Sequence, residues 1–285
     1  MARKTKIDWC DATWNPVTGC LHGCKYCYAE RIANRFCGSL QRTFSSNSFE
    51  VNGEWLHVVN TPAKKCIEGN GSGKLIPAPY PFVFDPTFYE YKLKEPQTWK
   101  RPKTIFVCSM ADLFGDWVPN EWIKRVFDAC EKAPWHRYIF LTKNPKRLMM
   151  MAAAKDVEDG MKYREEDMEK IKEHIPLPMH DNWWFGSTID NRKARRFQKY
   201  GYNSFVSIEP LTEYMDVGLG SFGTNEWVII GAETGSRKDK VIPERKWVEN
   251  IVEAARITRM KVFMKESIRE LMGDDFIQEF PWDNE

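Results

Sequence analysis

The chain has 285 residues, of which 42% are hydrophobic and 29% charged, and its net charge is +2. This balance is typical of a folded globular protein and excludes an intrinsically disordered one. The near-neutral charge means that any surface for nucleic acid has to be local. We predict a single domain over residues 1–285.

The cysteine content and the absence of long apolar runs indicate the compartment. No run approaches the roughly 20 apolar residues of a membrane span, and the charged first eight residues lack the apolar region of a secretory signal. Eight cysteines in such a chain favour a reducing environment over a disulfide framework. We therefore expect a cytoplasmic protein without a membrane partner.

Residues 38 to about 100 are the first segment with an unusual composition. They are rich in glycine, proline, serine and aromatic residues, and they include GNGSG at 69–73 and PAPYP at 77–81. Such sequences favour loops over long regular elements. We predict an irregular insertion here that acts as a lid.

Strand-like and helix-like segments alternate after residue 100. The predicted strands cover residues 104–108, 137–141, 183–188, 204–208, 227–230 and 261–265. Helical patterns follow Pro119 and Pro145 and cover residues 243–260. The charged stretch 155–174 is typical of a solvated helix, and a basic helical stretch is predicted after Asp190.

This alternation predicts an α/β fold whose parallel strands are joined by right-handed crossovers. Six or seven such units indicate a partial or complete (β/α) barrel. In a barrel of this kind, polar residues just after the strands line the active site. The candidates in these positions are Ser109, Asp112, Lys143, Ser187, Thr188, Asp190, Glu209, Glu233 and Lys265.

Three cysteines with C-x3-C-x2-C spacing form the most informative motif. Cys20, Cys24 and Cys27 can each ligate one iron of a [4Fe–4S] cluster, which leaves the fourth iron open to a small molecule. A zinc site would need a fourth ligand, and His22 is too confined within the motif to be an obvious one. A redox pair of Cys24 and Cys27 would leave Cys20 without a role. The other five cysteines show no ligand spacing.

The motif, read as C-x3-C-x-aromatic-C early in a chain of βα units, resembles the signature of the radical S-adenosylmethionine (radical SAM) superfamily. Further segments are similar to a phage-associated family in that superfamily, whose reaction is undefined. They are TWNPVTGC at 13–20, CYAER at 27–31, SMADLF at 109–114, LTK at 141–143, SIEPL at 207–211 and GAETG at 231–235. The resemblance extends from about residue 13 to residue 265.

This resemblance implies two cofactors, a [4Fe–4S] cluster on the three cysteines and SAM chelated at the open iron. It also implies a one-electron donor such as a flavodoxin or ferredoxin. Reductive cleavage of SAM gives a 5′-deoxyadenosyl radical that removes a hydrogen atom from the substrate. No catalytic residue follows from the sequence.

The resemblance also suggests which side chains contact SAM. Tyr26 occupies the place of an aromatic residue near the adenine. Ser109 and Asp112 replace the Gly-Gly-Glu run by which many of these enzymes hold the methionyl amino group. Ser187 is expected at the ribose, and Glu209 and Glu233 are expected at the ribose or the substrate.

Basic clusters and aromatic residues bear on the substrate. The clusters occupy residues 100–103, 143–147 and 192–196, and 12 Trp, 10 Tyr and 17 Phe can provide stacking platforms. An enzyme that acts on a base needs both phosphate contacts and stacking. We expect a nucleic-acid base or nucleotide, with a small metabolite or a peptide as open alternatives. The alternative function is a non-catalytic iron–sulfur or zinc protein that binds nucleic acid.

Overall fold

A computed structural model describes residues 5–37, 45–66, 75–190, 195–217, 222–235 and 237–283. Its strands are β1 (Ala12–Trp14), β2 (Val17–Thr18), β3 (Ser46–Val51), β4 (Glu54–Val59), β5 (Lys64–Cys66), β6 (Leu75–Pro77), β7 (Thr87–Tyr89), β8 (Thr104–Val107), β9 (Arg137–Thr142), β10 (Trp183–Thr188), β11 (Asn203–Ile208), β12 (Trp227–Ile230) and β13 (Lys261–Met264). Its α-helices are α1 (Tyr28–Phe36), α2 (Glu95–Thr98), α3 (Asn120–Glu131), α4 (Pro145–Glu158), α5 (Glu165–Lys172), α6 (Arg245–Ile257) and α7 (Arg269–Met272).

The chain divides into two compact units. The described part of the first unit runs from Ala12 to His136, and that of the second takes residues 5–11 and 137–283. The predicted single domain over residues 1–285 stays a prediction. No helix in the described ranges combines the length and the apolarity that crossing a bilayer requires.

The principal sheet contains seven parallel strands in the order β1-β8-β9-β10-β11-β12-β13. Within the second unit, β10 pairs with both β9 and β11, and β12 pairs with both β11 and β13. The predicted α/β fold is therefore confirmed, and the strand order is consistent with a partial (β/α) barrel. The six strands predicted after residue 100 are all present, with ends that differ by at most one residue.

The strands of the second unit are apolar because both faces of the sheet are covered. All four residues of β12 are fully buried. On one side α6 buries Val248, Ile251 and Ala255, which recur at helical spacing. Phe280 and Trp282 return to pack their rings 5.9 and 5.3 Å from that of Trp227.

A four-stranded sheet with the order β2-β7-β4-β3 belongs to the first unit. The described part of residues 38–100, which the sequence predicted to be irregular, thus holds strands β3 to β7 and helix α2. The sequence of these strands shows no clear alternation of apolar and polar residues. In β3, for example, most residues are exposed along its length. The GNGSG run lies outside the described residues, and the lid role stays a prediction.

Two helix predictions are wrong in detail. The charged stretch 155–174 is divided between the end of α4 and α5, because Gly160 has φ +92° and ends the first helix. The basic stretch after Asp190 is not helical over residues 195–199. There the amide of Phe197 donates to the Ser187 hydroxyl rather than to a carbonyl of its own turn. Residues 192–194 of this stretch lie outside the described residues.

Candidate functional site

The three cysteines lie in a loop, residues 19–27, that we call the cysteine loop. Its first residue, Gly19, has φ +86° and donates its amide to the carbonyl of Met110 at 3.0 Å. The amide of Cys20 donates to the carbonyl of Phe84 at 3.3 Å. A Cβ on Gly19 would lie 2.2 Å from the carbonyl oxygen of Asp85. Only glycine therefore allows this close approach of two backbone segments.

The cysteine loop ends at the N-terminus of α1. Cys27 is the N-cap residue, and its sulfur accepts the amide hydrogen of Glu30 at 3.4 Å. The amide of Cys27 donates to the carbonyl of Cys24 at 3.0 Å, which closes the turn. The last cysteine of the motif is therefore held at a helix N-terminus by backbone hydrogen bonds.

The electrostatic environment of the loop favours a bound cation. Cys20, Cys24 and Cys27 are half-buried, and none of the three forms a disulfide. Burial raises the pKa of the Cys20 thiol to about 12, although a backbone hydrogen bond at His22 opposes the shift. Negative charge on Asp112 and on the other two sulfurs raises the pKa further. A metal would offset both burial and repulsion between thiolates.

The three cysteines are not arranged as the closed ligand set of a metal ion in this structure. Among the described residues, no group of three or more His, Cys, Asp and Glu side chains is placed to hold a metal ion. Zinc would require its sulfur ligands at about 2.3 Å, whereas in an iron–sulfur cubane each thiolate binds a different iron. Ligation of a cluster by Cys20, Cys24 and Cys27 stays a prediction.

The segment that follows β8, residues 109–112, is bound to the cysteine loop and its flanks. The side-chain oxygen of Asn15 accepts the amide of Met110 at 3.0 Å and the hydroxyl of Ser109 at 3.2 Å. The hydroxyl of Tyr28, at the start of α1, donates to the carbonyl of Ser109. Together with the amide of Gly19, these contacts attach the loop to the segment at both of its ends. We call residues 109–112 the anchoring segment.

Asp112 joins the anchoring segment to the middle of the loop. One carboxylate oxygen lies 2.8 Å from Nε2 of His22, and the other accepts the amide of Phe114 at 3.0 Å. The imidazole of His22 also meets the indole of Trp117 edge to face, with 4.9 Å between the ring centres. The structure thus places Ser109 and Asp112 next to the cysteine loop, and their contact with the methionyl amino group of SAM stays a prediction. Both hold the loop in place, so a SAM amino group would compete for atoms that are already hydrogen-bonded.

Tyr26 is half-buried within the cysteine loop, immediately before Cys27. Its contact with an adenine stays a prediction.

In the second unit, two lysines that follow strands are paired with carboxylates. Lys143, after β9, donates to Asp190, after β10, at 2.5 Å. Lys265, after β13, donates to Glu209, after β11, and this pair passes over Gly231 at the end of β12. A Cβ on Gly231 would lie 3.0 Å from the Lys265 side chain and 3.4 Å from that of Glu209. The glycine therefore gives the ion pair room to bridge two strands that are not neighbours.

The remaining candidates of the second unit are also hydrogen-bonded. Glu233 is almost completely buried and accepts two hydrogen bonds from Arg237, at 2.7 and 2.6 Å. The Ser187 hydroxyl is fully buried and accepts the amide of Phe197 at 2.7 Å. Thr188 is half-buried. The carboxylate of Glu233 is thus neutralised, and the hydroxyl of Ser187 is occupied.

One family model matches residues 4–269, which include the cysteine loop and all of these strand ends. The chain belongs to the DUF5131 family. That family is described as a protein of unknown function. No curated protein and no solved structure matches the chain.

For this DUF5131 protein, sequence reasoning missed several residues around the cysteines. Gly19 and Asn15 lie within the TWNPVTGC segment at residues 13–20. No spacing rule indicates that they contact residues 109–112. The sequence does not indicate that His22 contacts Asp112, which lies 90 residues further along the chain. Trp117 gave no signal, because tryptophans that follow a strand are common in protein cores.

Proposed function

We propose that this DUF5131 protein is a radical SAM enzyme in which Cys20, Cys24 and Cys27 hold a [4Fe–4S] cluster. The observation that carries the proposal is a loop that holds three half-buried cysteines with C-x3-C-x2-C spacing and is fixed at Gly19 and at the start of α1. Three ligands from the chain leave one iron without a protein ligand. This feature allows a small molecule to bind at the metal.

When bound, the cluster and SAM supply the one-electron chemistry, and the chain supplies position and exclusion of water. Cys27 presents its sulfur at the N-terminus of α1, where it accepts the amide of Glu30. His22 and Asp112 hold the loop between its first two cysteines. Tyr26 is proposed to stack on the adenine. The proposed fold is a partial barrel of the radical SAM type with a lid within residues 38–100.

In the second unit we propose that ion pairs after the strands bind the polar groups of SAM or substrate. Glu209 with Lys265 and Asp190 with Lys143 each combine a carboxylate and an ammonium. A zwitterionic ligand can replace one partner of such a pair without leaving a charge uncompensated. Because Ser187 is fully buried, the half-buried Thr188 and Asp190 are better candidates for a ribose contact.

The proposal predicts SAM cleavage by the protein reconstituted with iron and sulfide without air. About four irons and four sulfides should bind per chain, and addition of dithionite and SAM should release 5′-deoxyadenosine. A triple variant with Cys20, Cys24 and Cys27 replaced by alanine should bind no cluster and release none. Cys37→Ala is the matched control, because this cysteine lies outside the C-x3-C-x2-C motif, and its thiol donates to the nearby Asn34 carbonyl. This variant should behave as wild type.

Two outcomes would contradict the proposal and favour the alternative function. One is purification with a single zinc and no sulfide. The other is a loaded cluster that transfers electrons but leaves SAM intact, which would indicate a non-catalytic cluster protein.

For the substrate we propose a nucleic-acid base or nucleotide. The support is local: Lys100 and Arg101 are exposed next to half-buried Lys103. The exposed ring of Trp135 is tied to this segment, because its indole N–H donates to the carbonyl of Trp99 at 2.9 Å. Cations beside an exposed aromatic ring suit a single strand.

A further inference from the structure

The indole of Trp117 has a hydrogen-bond donor that is not used. Its Nε1 is buried from solvent and has no hydrogen-bond partner among the described residues. Buried indole N–H groups nearly always find an acceptor, since an unmet buried donor is costly. The donor therefore indicates an acceptor that the described part of the chain does not provide.

The position of the indole places this donor beside the cysteine loop. The Trp117 ring meets the imidazole of His22 edge to face, at 4.9 Å and an interplanar angle of 80°. His22 lies between Cys20 and Cys24 and is held from its other side by Asp112 at 2.8 Å. Trp117 thus contacts the loop at the residue between two of the proposed iron ligands.

A tight turn holds the indole in this place. The amide of Gly115 donates to the Asp112 carbonyl at 3.2 Å, and the amide of Val118 donates to the Gly115 carbonyl at 2.9 Å. The ring of Trp117 then folds over Gly115, where a Cβ would lie 2.3 Å from it. Only glycine fits under the ring, so the same turn that continues from the anchoring segment positions the indole.

We propose that the Nε1–H group of Trp117 donates a hydrogen bond to an inorganic sulfide of the cluster. This inference rests on the proposed function, because the acceptor belongs to the cluster and not to the described residues. A donor of this kind stabilises the more negative, reduced state of an iron–sulfur cluster. It therefore raises the reduction potential.

The test is the reduction potential of the reconstituted cluster, measured by anaerobic titration with an electron paramagnetic resonance readout. Trp117→Phe removes the N–H group, and we expect it to lower the potential. Trp135→Phe is the matched control. It removes an N–H group whose acceptor is the Trp99 carbonyl, and it should leave the potential unchanged.

A second substitution separates the hydrogen bond from packing. Replacement of Trp117 by benzothienylalanine keeps the bicyclic ring and exchanges the N–H group for sulfur, so it should lower the potential as Trp117→Phe does. An unchanged potential in this variant, with wild-type iron and sulfide content, would overturn the inference and leave the proposed function standing. A wild-type protein that binds no iron and sulfide would instead overturn the proposed function.

Discussion

Two glycines of the cysteine loop show how differently one residue type is used within five positions. Gly19 and Gly23 both have positive φ, +86° and +64°. Gly19 is pressed against the backbone of Asp85, whereas no atom lies within 4 Å of a Cβ on Gly23. The first glycine is required by the close contact and by its backbone conformation, and the second by conformation alone.

Alanine at these two positions should therefore have unequal effects. Gly23→Ala carries only the left-handed backbone penalty of about 1–2 kcal/mol. Gly19→Ala adds a clash with a carbonyl, and we expect it to lower the free energy of unfolding by about 3 kcal/mol or more. Urea unfolding of the reduced, metal-free protein measures both. An equal loss of unfolding free energy in the two variants would mean that the backbone at Asp85 moves at little cost to accommodate the added Cβ.

Among the helices, α4 is held at its C-terminal end by a buried carboxylate. Asp156 accepts hydrogen bonds from the hydroxyl of Tyr163 and from Lys199, a residue shortly before β11. Burial alone would raise the pKa of Asp156, but these two hydrogen bonds and the charge of Lys199 outweigh it and hold the pKa below the usual 3.8. Its contribution is therefore present above the unfolded pKa and is lost as the pH falls through the lower folded value.

Asp156→Asn should destabilise the protein at pH 7 by about 1–3 kcal/mol, because it weakens two charge-assisted hydrogen bonds. The difference from wild type should shrink as the pH drops below 3.8. Asp159→Asn is the control, since Asp159 is half exposed and pairs only with Lys155 in the same helix. It should change stability by less than about 0.5 kcal/mol at either pH. Unfolding in urea at pH 7 and pH 3 tests this, and a constant difference for Asp156→Asn would contradict it.

The basic clusters of the whole molecule are fewer in the structure than in the sequence. In the cluster at 143–147, Lys143 is paired with Asp190 and Arg147 is buried. The cluster at 192–196 is described only from residue 195 onward. The cluster at 100–103 exposes two cations, Lys100 and Arg101, whereas the cluster at 143–147 exposes Lys146 alone. With a net charge of +2, the molecule as a whole adds little long-range attraction for nucleic acid.

Binding of single-stranded oligonucleotides should therefore be weak. It should depend on phosphate contacts from Lys100, Arg101 and Lys103. About three phosphate contacts give a slope of about −2 for the logarithm of the affinity against the logarithm of the salt concentration. Replacing Lys100, Arg101 and Lys103 together by serine should bring the slope close to zero. The control, Lys170→Ser with Lys172→Ser in the exposed part of α5, should leave it unchanged. An unaltered slope in the triple variant would remove the support for a nucleic-acid substrate.

The sequence predicted the strands after residue 100 much better than the strands before it. Six strands after residue 100 followed from apolar runs, because each is long enough and buried enough to carry a pattern of its own. The strands β1 to β7 were missed, since they are short or exposed and gain stability mainly by pairing. By periodicity alone, the charged stretch 155–174 continues as one helix. The positive φ of Gly160 ends the first helix within it.

The sequence by itself determined what is local along the chain: the spacing of the three cysteines, the alternation of strands and helices, and the polar residues at strand ends. Only the tertiary structure decided which distant groups meet, such as His22 with Asp112, Gly19 with Asp85, and Lys265 with Glu209 across Gly231. The physical reason is that periodicity and spacing act within one element. Contacts between residues tens of positions apart depend on sheet order and loop path, which no single segment encodes.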